Sequence, residues 1–150
     1  MKKFQKFYLQ AAGAVFVMTG AAKLISAFGV SGIHHLPDPI FGIPFGKLMF
    51  AAGMVECLLA VMCLFVQNIY TVGAVTAFST GLFFYRLGLW WIGWQRPCRC
   101  LGELTDVLHV PANAADIALK LILVFLLTGG CLCLVAHWRR KDTVSNSAEA

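Results

Sequence analysis

Residues 45–66 read FGKLMFAAGMVECLLAVMCLFV, an apolar run in which only Lys47 and Glu56 carry charge. A helix rises about 1.5 Å per residue, so roughly 20 apolar residues cross the ~30 Å hydrocarbon core of a bilayer. This run has that length. Lipid offers no water to pair with backbone N–H and C=O groups, so a segment crossing it must satisfy them internally, as a helix does. The run therefore predicts a transmembrane helix with a carboxylate, Glu56, near its middle.

Outward from this segment the same pattern recurs. Further spans are predicted over about 7–28, 70–94 and 114–137, each close to the length a bilayer requires. The prolines agree: Pro37, Pro39 and Pro44 separate the first two runs, Pro97 and Pro111 separate the last two, and none interrupts a run. Of the 150 residues, 59% are hydrophobic and 13% charged, and the mean hydropathy is +0.77. A soluble domain carries about twice that charged fraction. The predicted architecture is all-α: an integral membrane four-helix bundle, a single domain over 1–141 with a disordered tail at 142–150. The first run exceeds a signal-peptide h-region, contains Lys23 and lacks a small-x-small cleavage site after it, so it is read as a span.

The net charge of +5 does not point to nucleic acid, because the basic residues gather at the ends. Lys2, Lys3 and Lys6 open the chain, and Arg139, Arg140 and Lys141 nearly close it. Four spans put both termini on one side, and the positive-inside rule makes that side cytoplasmic despite Arg96 and Arg99 on the other. The Gln67–Asn68 turn is then inside, and the segments 29–44 and 95–113 are outside. Trp90, Trp91 and Trp94 mark the outer edge; Phe4, Tyr8, Tyr70 and Trp138 mark the inner one. In the second outer segment Leu101, Leu104 and Leu108 have helical spacing, which predicts a short interfacial helix. Asn113 reads as the N-cap of the fourth span, with Asp116 in the capping-box position.

Charges inside spans are costly and are functional candidates by default. Glu56 is expected to pair with Arg86, Lys23 or both. The result is either a buried ion pair that fixes helix register, or a proton relay or binding group for a quinone-like carbonyl. Lys120 is expected to pair with Asp116 one turn earlier or to snorkel outward.

The first span contains GAVFVMTGAAKLIS, with Phe16, Gly20 and Lys23 spaced F-x3-G-x2-K, and the second contains Gly53 and Glu56 as Gly-x2-Glu. After the third span stands Cys98-Arg99-Cys100-Leu101-Gly102. Together these resemble the DoxX family of small four-helix membrane proteins, and the last is similar to the C-x-C-[FL]-G of its MauE-like branch. The resemblance extends over about residues 10–130. It implies a multi-pass protein of the bacterial inner (plasma) membrane with its Cys-x-Cys loop on the periplasmic side. It also implies a redox-associated role beside a thioredoxin-like or maturing periplasmic partner, by analogy with quinone-linked thiol oxidoreductases. Those enzymes use two cysteine pairs, whereas this chain offers one on the outer side.

Cys98 and Cys100 would face an oxidising compartment. A disulfide between residues i and i+2 closes a small, strained ring, which is easily reduced and so suited to exchange. Arg96 and Arg99 favour a thiolate. On this reading Cys98 and Cys100 are the catalytic pair, and Lys23, Glu56 and Arg86 surround a quinone that takes up the electrons. Two alternatives stand beside it. One is a non-enzymatic membrane helper or small-solute carrier. The other is an outer zinc or copper site using the two thiolates with His34, His35 or His109. Cys57, Cys63, Cys131 and Cys133 read as small packing residues.

Overall fold

A computed structural model describes residues 2–28, 37–93 and 112–148 of the chain. They form four helices: α1 (Lys2–Phe28), α2 (Phe45–Phe65), α3 (Ile69–Trp91) and α4 (Ala112–Ala148). Each is long and apolar enough to cross a membrane. Their outward faces carry large apolar side chains, among them Phe7, Leu58, Phe84 and Leu121, all more than half exposed. Water would penalise such a surface and lipid does not, which marks a multi-pass membrane protein. The interfacial helix expected in 101–108 lies outside the described residues, as does Trp94. α4 runs on to Ala148, past the boundary at 141 read from the sequence.

The helix ends follow the local chemistry. Pro44 immediately precedes α2, where its missing N–H costs nothing. Between α2 and α3 the Asn68 side chain accepts from the Thr71 N–H at 2.9 Å, capping the first turn of α3. The Thr71 hydroxyl donates to the Val66 carbonyl at 2.6 Å and ties the turn together. Gly93, at φ 71°, leaves α3 through a left-handed conformation that glycine adopts without a Cβ penalty. At the other end the expected cap differs. α4 already begins at Ala112, so Asn113 falls within its first turn, and Asp116 is engaged by cations instead of folding back on the helix start.

Two tight helix pairs make the bundle, α1 with α2 and α3 with α4, and the seams between the pairs are looser. Small residues set the first pair. A Cβ on Gly20 would lie 3.0 Å from Cys57 Sγ and 3.2 Å from the Gly53 carbonyl oxygen, and one on Gly53 would lie 3.1 Å from Leu24. Gly13 meets Cys63 and Leu64 in the same way. Residue numbers rise on α1 as they fall on α2, so the two helices run antiparallel. Close backbone approach through glycine is the usual substitute for hydrophobic driving force between helices in lipid.

The half of the bundle around Tyr8 is solid. Tyr8, Leu9, Phe16, Cys63, Val72 and Leu126 are buried together there, and Phe16 meets the Phe78 ring edge-on at 6.0 Å. Tyr8, near the start of α1, is 1% exposed. Its ring fills the gap left by Gly129 and Gly130, and its hydroxyl donates to the Leu126 carbonyl at 2.7 Å. Four cysteines fall in the described residues, all free thiols, with Cys63 and Cys133 packed in this core.

Candidate functional site

The other half of the bundle is hollow. A cavity of about 110 Å³ opens where the two helix pairs meet, bounded by all four helices. Its walls are mostly aliphatic, with Leu48, Met49, Leu82, Leu123 and Leu126 among them. Into this wall project Lys23 from α1, Glu56 from α2, and Tyr85 and Arg86 from α3. Three of the four residues singled out by their intramembrane charge, Lys23, Glu56 and Arg86, therefore line one space, and Lys120 is not among its walls.

Glu56 is 2% exposed and Lys23 8%. The Lys23 ammonium donates to Glu56 Oε1 in a buried ion pair. The helix crossing explains the meeting. Gly20 and Gly53 bring the backbones together one turn away from each charged residue, and Lys23 and Glu56 follow their glycines by three positions on the inward faces. The F-x3-G-x2-K and Gly-x2-Glu patterns thus describe one crossing seen from its two sides.

Arg86 does not join this pair. Its Nη1 lies 3.5 Å from Asp116 Oδ1, and Lys120 holds Asp116 Oδ2 at 2.6 Å from one turn along α4. The expectation for Glu56 is thus met by Lys23, and Arg86 is drawn across the α3–α4 seam. The expected Lys120–Asp116 pair forms.

Two buried polar atoms of cavity-lining residues have no hydrogen-bond partner: Glu56 Oε2, and Arg86 Nη1, whose 3.5 Å contact with Asp116 is an ion pair without a hydrogen bond. A buried, unmatched polar atom costs roughly 1–3 kcal/mol, and more when it is charged. One is an acceptor on a carboxylate and the other a donor on a guanidinium. Both atoms belong to residues that line the apolar chamber. Its volume approaches that of the engineered ~150 Å³ protein cavity that takes up benzene.

The sequence reading passed over two further residues at this end. Asp38 is 2% exposed although it lies between two helices. Its Oδ1 accepts from the Ile40 and Phe41 N–H groups, both at 2.9 Å, and its Oδ2 accepts from the Tyr85 hydroxyl. Pro37-Asp38-Pro39 was the available signal, since an aspartate between prolines favours a side-chain-closed turn. That a turn between α1 and α2 would be buried against α3 has no local signature.

Cys98 and Cys100 lie outside the described residues, as do His34, His35 and His109. Among the described residues, no group of three or more His, Cys, Asp or Glu side chains is arranged to hold a metal ion. Cys98 follows α3 in the chain, after the helix end nearer to Arg86. No family model, no curated protein and no solved structure matches the chain.

Proposed function

We propose that this protein is a membrane thiol–disulfide redox protein of DoxX/MauE-like type. Cys98 and Cys100 exchange with a thioredoxin-like or maturing partner on the outer face, and a quinone in the cavity receives the electrons. The observation that carries the reading is the convergence of Lys23, Glu56 and Arg86 on one apolar chamber, with one acceptor atom and one donor atom left unmatched.

The chemistry balances. Reduced Cys98 and Cys100 give up two electrons and two protons as their S–S bond forms, and a quinone gains the same to become a hydroquinone. The Arg86 guanidinium suits a quinone carbonyl, which accepts a hydrogen bond and gathers negative charge on reduction. Glu56 Oε2 suits a hydroxyl, the group that appears once the ring is reduced. Lys23 holds Glu56 in place and offsets its charge, so the carboxylate can sit in an apolar wall.

Thiol trapping tests the exchange. With membranes held under oxidising and then reducing conditions, Cys98 and Cys100 should shift together between the alkylated and the protected form. A Cys98→Ala variant that retains the function of the native protein would overturn the reading.

A further inference from the structure

The turn at 37–44 packs on the cavity's Tyr85 and is built as a unit. Pro37 and Pro44 pair across its base. The Asp38 N–H donates to the Ile43 carbonyl at 2.9 Å, and the Gly42 N–H to the Asp38 carbonyl at 2.8 Å. Gly42, at φ 66°, makes the reversal. Asp38 Oδ1 closes the turn from within, so the turn keeps its shape whatever it rests on.

What it rests on is α3. The Phe41 ring stacks on Tyr85, centroids 6.0 Å apart and 13° between planes. Ile40 Cδ1 would lie 3.1 Å from a Cβ on Gly88, so the absence of a side chain there lets the turn sit close. Asp38 Oδ2 takes the Tyr85 hydroxyl. Tyr85 is also a wall of the cavity, as is Phe45, which directly follows the turn. Phe45, Leu48 and Tyr85 are half-buried, and Phe45 and Tyr85 join the turn directly to the cavity wall.

We infer that the 37–44 turn is the outer gate of the cavity, and that Asp38 is the positioning residue that latches it through Tyr85. One hydrogen bond to a buried carboxylate fastens a rigid turn to a ring that itself faces the chamber. Breaking that bond frees the turn to lift while its own hydrogen bonds survive. The inference holds for any occupant of the cavity and does not depend on the redox reading.

The test uses a thiol inside the chamber. Ala52 lines the cavity and is half-buried, and cysteine fits in its place. An Ala52→Cys protein carrying Cys98→Ser and Cys100→Ser is placed in lipid nanodiscs and treated with a negatively charged thiosulfonate. Modification at position 52 is followed by peptide mass. Asp38→Asn keeps an oxygen for the two turn N–H groups and replaces the charge-assisted bond to Tyr85 by at most a weaker neutral one from the amide N–H2; Tyr85→Phe removes the hydroxyl alone. Each should speed modification by about tenfold, the factor expected when a charge-assisted hydrogen bond no longer holds the closed form. The double variant should match Tyr85→Phe to within about twofold, because both changes act on one bond and the phenol hydroxyl is gone in both proteins. Equal rates in all four proteins would overturn the inference. So would a double variant in which the single effects multiply, since the two residues would then act separately.

Discussion

Lys23 and Glu56 form the buried ion pair at the α1–α2 crossing, in the wall of the cavity, and its strength can be measured. Consider Lys23→Met, Glu56→Gln and the double variant. Lys23→Met leaves a carboxylate that is 2% exposed with neither oxygen matched, since Oε2 already lacks a partner. Breaking one side of a buried pair costs about 3–5 kcal/mol. Glu56→Gln keeps the shape and an amide oxygen for Lys23 but removes the charge, at about 2 kcal/mol for a weakened charge-assisted hydrogen bond. With both charges gone the strain of the lone carboxylate disappears, and the double variant should lie about 2 kcal/mol below wild type, the cost of a buried amide short of partners. The two single costs together should therefore exceed the cost of the double by about 3–5 kcal/mol, at or above the upper end for contacting residues. Reversible unfolding in mixed micelles, titrated with a denaturing detergent and followed by far-ultraviolet circular dichroism, gives the needed free energies. Coupling below about 0.5 kcal/mol, the level of a solvent-exposed pair, would refute the argument that this pair is buried and mutually dependent.

The other expected outcomes concern the framework, and the same unfolding assay reads them. Gly20→Val places a branched side chain where a single Cβ would already be 3.0 Å from Cys57 Sγ, so α1 and α2 must part, at about 1–3 kcal/mol of overpacking. Tyr8→Phe removes the buried hydrogen bond to the Leu126 carbonyl and should cost about 1 kcal/mol. Gly129→Ala should cost more than Tyr8→Phe, because its Cβ would sit 2.5 Å from the Tyr8 ring. Asn68→Ala removes the α3 cap and should cost about 1 kcal/mol without disturbing the cavity.

The four helices were legible because a membrane span is a property of a continuous run, and 45–66 displays it without reference to the rest of the chain. The charged residues were legible for the same reason: in an apolar run each is an anomaly that must be resolved by a neighbour. Which neighbour resolves it was not. Depth along a helix brought Arg86 level enough with Glu56 to be a candidate, but the choice depends on rotation about each helix axis. The Gly20–Gly53 contact turns Lys23 onto Glu56, and the α3–α4 seam turns Arg86 onto Asp116. The packing of Tyr8 was hidden for a related reason. Its position near a span end suits the interface, but Gly129 and Gly130, distant in sequence, leave a slot that only the folded bundle shows. Asp38 belongs to the same class, a polar residue of the turn before α2 buried by a tertiary contact with Tyr85.

The most direct measurement joins the dithiol to the cavity. Fully reduced protein in nanodiscs is mixed with a short-tailed benzoquinone whose ring positions are all substituted, so that thiols cannot add to the ring. Hydroquinone formation and loss of free thiols are followed together. One hydroquinone should form per protein as Cys98 and Cys100 alone become a disulfide. Arg86→Gln and Glu56→Gln should each slow the reaction by at least about tenfold, the scale set by removing one oriented charge-stabilising group. If Cys98 and Cys100 stay reduced in excess quinone, or if both cavity variants react at the native rate, the cavity is not the electron acceptor's site.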